Sequence, residues 1–284
     1  MTYNELWHTL TPLYEDGEAK AIIRTVMEVT FGLSLTDLYT GKVNEISSEE
    51  KNLLEEIIKR LQKGEPVQYV LGRAPFCGRN FQVRQGVLIP RPETEQLCQW
   101  IIADHNHPYC GLQPPEPLHV LDIGTGSGCI AISLALDLWN SSVSAWDISS
   151  DALLVARENA HRLEAKVDFK WQDAIHPEGT EKWDIIVSNP PYVCEKEKEQ
   201  MEKNVLDYEP STALFVPDDD PLRFYRAIAL YAQKALKPMG ELYFEINPVY
   251  AEDLKKMLEE MHYNKVEARI SPLEKQQMMK GVHP

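Results

Sequence analysis

The segment Asn189-Pro190-Pro191-Tyr192 gathers the groups needed to hold a flat NH2. Two prolines fix two φ angles and lack N–H donors, so their carbonyls stand outward as rigid acceptors. The Asn189 carboxamide adds one acceptor oxygen and two N–H donors. Tyr192 offers a flat stacking face. An amide or exocyclic nitrogen is a poor nucleophile because its lone pair is delocalised. Two acceptors, Asn189 Oδ1 and the Pro190 carbonyl, can take both N–H bonds and aim the lone pair at an electrophilic carbon. No strong base is required, since the proton turns acidic once nitrogen gains its fourth bond, and none of the eight histidines is nominated. Asn189, Pro190 and Tyr192 are the expected catalytic residues. Asn189, Pro190, Pro191 and Tyr192 together form the expected substrate slot.

A second constellation precedes it. The apolar run Val120-Leu121-Asp122-Ile123 enters Gly124-Thr125-Gly126-Ser127-Gly128 and then an apolar helix. A loop so placed lies at the carboxyl end of a sheet, where open α/β sheets bind ligands. Glycines let the backbone turn sharply and approach a cofactor. A phosphate-binding P-loop would need Gly-Lys-Ser/Thr, which is missing here, and a dinucleotide loop would need glycine where Cys129 stands. The spacing G-x-G-x-G instead resembles motif I of class I methyltransferases, which bind S-adenosylmethionine. Asp147 lies 19 residues after Gly128. A carboxylate there can accept from both ribose hydroxyls, a feature shared with NAD enzymes. The other reading of Asp147 is a helix cap, with Ser149 or Ser150.

The elements that would carry these loops follow from periodicity. From residue 118 onward, strands at 119–124, 143–148, 167–171, 183–189 and 241–246 alternate with helices at 127–138, 150–163, 219–237 and 249–262, and the tail at 264–283 can supply two more strands. Apolar strands alternating with helices predict a largely parallel sheet covered on both faces. Residues 1 to about 72 read as helical. Leu6, Leu10 and Leu13 share one face, and Ala21, Ile22, Val26 and Val29 another. A capping box at Ser47 and Glu50 opens a helix that turns Leu53, Leu54, Ile57, Ile58 and Leu61 inward and stops at Gly64 and Pro66. Residues 75–90, punctuated by Gly78 and Gly86, read as a hairpin. Pro92 suits the first turn of the next helix, with Glu93 and Glu95 at its positive end. The proline-rich stretch 104–117 reads as a loop. The expected division is a helical substrate-recognition domain at 1–74, a β-hairpin connector at 75–90 and a catalytic domain at 91–284.

Bulk properties narrow the function. The chain has 284 residues, 43% hydrophobic, enough for one large core and a smaller one. The net charge is -15, and through residue 80 there are 9 Lys and Arg against 12 Asp and Glu, giving 9 - 12 = -3. Affinity for a phosphate backbone comes from Lys and Arg, so no stable nucleic-acid binding is expected. The five cysteines are odd in number, irregularly spaced and form no C-x-x-C pair, which fits neither a disulfide framework nor a zinc site. No secretory signal and no apolar run of membrane-crossing length is present. A cytoplasmic protein without metal or membrane partner is the expectation.

The resemblance becomes specific on longer stretches. Gln68-Tyr69 with Gly72, Phe76, Phe81 and Val83, the run VLIPRPETE at 87–95, then VLDIGTGSGCIAISLA, DISSDALLVARENA, IIVSNPPYV and Tyr208-Glu209-Pro210 with Ala213-Leu214 resemble the release factor glutamine methyltransferases (the PrmC/HemK family). The likeness covers most of residues 66–246. It implies a Rossmann-like α/β fold with a seven-stranded sheet and a small N-terminal helical domain joined by a β-hairpin. It implies S-adenosylmethionine as methyl donor, S-adenosylhomocysteine as product, and the Gln of the Gly-Gly-Gln loop in class I peptide chain release factors as substrate. It also implies cofactor binding by Gly124, Thr125, Gly126, Ser127, Gly128, Asp147 and Asn189, with Asp173 near the adenine amino group and Ala174 where relatives carry a bulkier residue. Arg91, Glu93 and Thr94 lie near the site only by this resemblance. Relatives usually read Glu-x-Gly-x-x-Gln after the fifth strand, whereas here it is Glu245-Ile246-Asn247-Pro248-Val249-Tyr250. The tail SPLEKQQMMKGVHP also lacks the family's usual acid and glycine. Competing readings are an adenine-N6 methyltransferase acting on nucleic acid, an NAD-linked oxidoreductase, and a catalytically silent binding module.

Overall fold

The computed structural model describes residues 2–106, 116–270 and 276–284. The chain forms two compact units, Met1–Arg73 with Glu202–Tyr208, and Ala74–Met201 with Glu209–Pro284. The division read from the sequence gave Glu202–Tyr208 to the catalytic part; here this segment packs with the N-terminal helices.

The first unit holds α1 (Tyr3–His8), α2 (Asp16–Phe31), α3 (Leu35–Tyr39), α4 (Ser48–Leu61) and α5 (Val67–Leu71). Ser47 and Glu50 form the expected capping box at α4. Leu54, Ile57, Ile58 and Leu61 turn into the core, but Leu53 is exposed. Two other expectations shift. The first helix ends at His8, so Leu10 is buried outside it and Leu13 faces solvent. In α2 the apolar stripe is Ala19, Ile22, Ile23, Val26 and Met27, at i, i+3, i+4, i+7 and i+8, which leaves Ala21 on the wet side. Tyr208, at the end of the inserted segment, donates its hydroxyl to the Lys63 carbonyl at 3.0 Å.

The second unit opens with β1 (Arg73–Phe76) and β2 (Arg79–Gln82), the expected hairpin, followed by α6 (Pro92–His105) with Pro92 in its first turn. Most of the loop expected at 104–117, and Cys110 with it, lies outside the described residues. Then come β3 (Leu118–Ile123), α7 (Cys129–Asp137), β4 (Ser141–Asp147), α8 (Ser150–Arg162), β5 (Val167–Trp171) and β6 (Trp183–Ser188). Next are β7 (Val193–Cys194), α9 (Lys203–Tyr208, packed with the first unit), α10 (Ser211–Leu214) and β8 (Phe215–Val216). The chain closes with α11 (Arg223–Ala235), β9 (Leu236–Glu245), α12 (Ala251–Glu260), β10 (Asn264–Ile270) and β11 (Gln276–Val282).

The seven-stranded sheet runs β10-β11-β9-β6-β3-β4-β5. Its five strands from β9 to β5 are parallel, and β11 joins β9 and β10 antiparallel. Successive residues face opposite sides. Val120, Val143, Ile185 and Val187 pack under α6 and α7, while Leu121, Ile123, Ile186 and Phe244 pack under α11 and α12. Both faces are thus closed, and the carboxyl ends of β3, β4 and β6 stand side by side.

No helix among the described residues is long and apolar enough to cross a membrane. Among them no three His, Cys, Asp or Glu gather as metal ligands, and Cys77, Cys98, Cys129 and Cys194 are free thiols.

Candidate active site

A cavity of about 460 Å³ opens at these carboxyl ends. Gly124, Thr125, Gly126 and Ser127 form one wall; Asp147, Asp173 and Ala174 a second; Asn189, Pro190 and Pro191 a third. Of the residues expected at the site, Gly128 and Tyr192 do not line it.

The glycine loop is held from below. Asp122 accepts from the Thr125 hydroxyl at 2.6 Å and from the Ala131 amide at 3.2 Å, both on Oδ2. It is fully buried, and burial pushes its carboxyl up to about 7. The Gly124 and Thr125 amides donate to the Trp146 carbonyl at 2.8 and 2.9 Å, pinning the loop to β4. Gly128 has φ +82°, and a Cβ there would lie 2.9 Å from Ile132 Cδ1 and 3.1 Å from Ala156 Cβ. Its role is close packing of α7 on α8 at the helix start. Gly126 differs: at φ +56° an added Cβ would meet nothing within 4 Å. The Asn159 carboxamide, on α8, donates to the carbonyls of Ser127 and Gln82 at 2.9 and 3.0 Å and accepts from the Gln82 amide at 2.6 Å. One side chain thereby couples the glycine loop to the hairpin.

Asp147 stands between the glycine loop and the start of α8. Its Oδ2 accepts from the Gly126 amide and its Oδ1 from the Ser149 amide, each at 2.8 Å. Ser149 itself caps α8. Burial raises the Asp147 carboxyl above the usual range, against the pull of these amides. Each carboxylate oxygen keeps a lone pair for a further donor. Asp173 accepts from the Ile175 amide at 2.8 Å, and Ala174 packs half-buried against the core beneath α11.

The Asn-Pro-Pro-Tyr segment is braced by Thr94, which only the resemblance put near the site, and by Glu245. Asn189 Nδ2 donates to Thr94 Oγ1 at 3.2 Å, and Thr94 Oγ1 donates to Glu245 Oε2 at 2.5 Å. Tyr192 donates its hydroxyl to Glu245 Oε1 at 3.0 Å, which places the phenol behind the cavity wall. Glu245 is 2% exposed, and burial pushes its carboxyl up to about 6. Asn247 donates to the Tyr192 carbonyl at 3.1 Å. The Cys194 thiol reaches the Tyr250 hydroxyl at 3.3 Å. Arg91 pairs with the buried Glu209 at 2.5 Å, which also accepts from the Ile89 amide at 3.1 Å. Arg91 and Thr94 line the cavity. Thr94 and Glu245 lie 151 positions apart, so no local pattern could join them.

Five parallel strands, an antiparallel β11, a glycine loop after the first strand of the sheet and Asn-Pro-Pro-Tyr after the fourth define a Rossmann-like class I methyltransferase. The family model described as "Methyltransferase small domain" matches residues 111–208, and "PrmC N-terminal domain" matches residues 8–72. The release factor glutamine methyltransferase of Bacteroides thetaiotaomicron is 49% identical over 260 residues, covering 91% of this chain and 90% of that one. That of Flavobacterium psychrophilum is 40% identical, covering 89% and 88%. The chain belongs to the release factor glutamine methyltransferase family. Among solved structures, a T. thermophilus 16S rRNA N2 G1207 methyltransferase in complex with AdoMet and guanosine shares the fold. Its TM-score is 0.52 at 18% identity, covering 75% of this chain and 50% of that one.

Proposed function

We propose that this enzyme transfers a methyl group from S-adenosylmethionine to the side-chain amide nitrogen of the glutamine in the Gly-Gly-Gln loop of class I peptide chain release factors. Family membership supports the release factor and its glutamine. The observation that carries the chemistry is the polarity of Asn189. One N–H of its NH2 goes to Thr94, and among the described residues nothing donates to its Oδ1, which leaves an acceptor at the cavity wall. A cavity of about 460 Å³ with the Gly126 backbone and the Asp147 carboxylate in its walls suits an adenosyl cofactor. When bound, that cofactor supplies an electrophilic methyl carbon on a sulfonium.

The chain's own work is positioning. Asn189 Oδ1 and the Pro190 carbonyl each accept one N–H of the substrate carboxamide, so the nitrogen lone pair is directed out of the amide plane. Pro190 and Pro191 hold those acceptors rigid. The same contacts tighten as nitrogen gains positive charge, which favours the transition state over the ground state. The proton shed afterwards passes to water. Asp147 holds the ribose, Asp173 and Ala174 border the adenine, and Tyr192 acts from behind the wall. The helical residues 1–74 recognise the release factor, and the reaction takes place in the cytoplasm.

The test is methyl transfer to purified release factors followed by peptide mass mapping. One added methylene on the glutamine of Gly-Gly-Gln is expected. Transfer to adenine in nucleic acid, or none to any release factor, would overturn the reading.

A further inference from the structure

Glu245 is a buried acid with, among the described residues, no Lys or Arg as a partner of its carboxylate oxygens. Its two oxygens are taken by two hydroxyls, Thr94 at 2.5 Å and Tyr192 at 3.0 Å. An ionised carboxylate accepts only. Thr94 must therefore give its one proton to Glu245 and can offer Asn189 nothing but a lone pair. The carboxamide of Asn189 then has one orientation, NH2 toward Thr94 and Oδ1 toward the cavity. Protonating or replacing the carboxylate frees the Thr94 proton for Asn189 Oδ1, which flips the amide and presents donors to a substrate that itself brings donors.

We propose that Glu245 is a positioning residue: through Thr94 it sets the Asn189 amide with its oxygen to the substrate, and through the Tyr192 hydroxyl it anchors the other end of the Asn-Pro-Pro-Tyr segment. This deepens, and rests on, the reading of the cavity as an amide-methylating site. Four elements bring charged or titratable groups to Glu245. They are its own β9, the start of α6 with Arg91 and Glu93, the Tyr192 segment, and α11, whose Tyr225 donates its hydroxyl to the Glu245 carbonyl at 3.1 Å. Both phenols are pushed well above their ordinary range, so they do not change state near neutrality.

Two measurements test this on the full chain. In steady-state methylation of a release factor, Glu245→Gln and Thr94→Val should each lose about 10- to 100-fold in kcat, less than a direct catalytic donor is worth, with cofactor affinity unchanged. Thr94→Ser should recover most of the loss. The double variant should lose little more than either single one. The wild-type rate should fall as pH drops through about 6, and Glu245→Gln should lack that limb. Equal losses in cofactor affinity, or failure of Ser to rescue, would overturn the proposal. The second readout needs no substrate. The Asn189 side-chain NH2 resonances, identified by their loss in Asn189→Ala, should shift across the same pH range in the wild type and stay still in Glu245→Gln. Absence of that shift overturns the proposal even where methylation is normal. If the wild type methylates no release factor, the functional reading falls while the resonances still decide this one.

Discussion

The second and third glycines of G-x-G-x-G look alike in sequence, yet they do different work, and two substitutions separate them. At Gly128 an alanine carries two penalties. A residue at φ +82° costs about 1–2 kcal/mol over glycine. The new methyl, 2.9 Å from Ile132 and 3.1 Å from Ala156, overpacks the α7–α8 contact by about 1–3 kcal/mol. The sum is about 2–5 kcal/mol. For a domain of this size that lowers Tm by about 4–20 °C. At Gly126, with φ +56° and nothing within 4 Å of the new Cβ, only the conformational part remains, about 1–2 kcal/mol. There the methyl stands at the cavity wall instead, so the expected loss is in cofactor affinity, by about tenfold or more, equivalent to about 1.4 kcal/mol. The assay is differential scanning calorimetry of both variants without ligand, then isothermal titration with S-adenosylmethionine. If Gly128→Ala melts with the wild type, or melts low only in the presence of cofactor, the assignment of Gly128 to helix packing is wrong. If Gly126→Ala binds the cofactor as tightly as the wild type, the loop does not approach it.

Asp122→Asn should change how stability depends on pH. The Asp122 carboxyl sits at about 7 when folded against 3.8 in the free chain. Its contribution is therefore fully present below about 4 and fades as pH rises through about 7, by at most about 4 kcal/mol. Urea unfolding from pH 5 to 8 should show this decline in the wild type and a flatter profile in Asp122→Asn; parallel profiles would refute it. Asn189→Ala should lower kcat by about 10²–10³-fold while cofactor affinity stays near wild type, because it removes a contact aligned with the reacting nitrogen; equal losses in both, measured by kinetics and titration, would count against that role. Asp147→Asn should weaken the cofactor by about tenfold or more and also loosen Gly126, since the carboxylate serves both; backbone amide exchange at Gly126 would report the second effect, and unchanged exchange would contradict it.

The sheet was legible because each of its strands carries a period or an apolar run that must be buried, and the helices between them follow at 3.6 residues. The segments β7, α9, α10 and β8 were not, because elements of two to six residues have too few turns or alternations to leave a pattern. The walls of the cavity were legible for a different reason: Gly124, Gly126, Asp147 and Asn189 each sit where a strand ends, so their place follows from topology. Gly128 was read as a cofactor glycine because spacing records that a position needs glycine, not whether a ligand or a neighbouring helix requires it. The supports were not legible in the residues themselves; only the resemblance pointed to Thr94. Thr94, Glu209 and Glu245 act across long stretches of chain, and only the fold sets a lone threonine on α6 against an acid at the end of β9.

Glu202–Tyr208 makes the two units interwoven instead of consecutive: the polypeptide leaves the helical unit after Arg73, builds most of the sheet, returns for seven residues and leaves again. No single cut yields two whole pieces. A fragment beginning at Ala74 would carry α9 without the helices it packs on, and its complement would lack the Tyr208 hydroxyl that meets Lys63. Swapping the helical unit between relatives therefore calls for three splice points, one near residue 73 and two flanking 202–208.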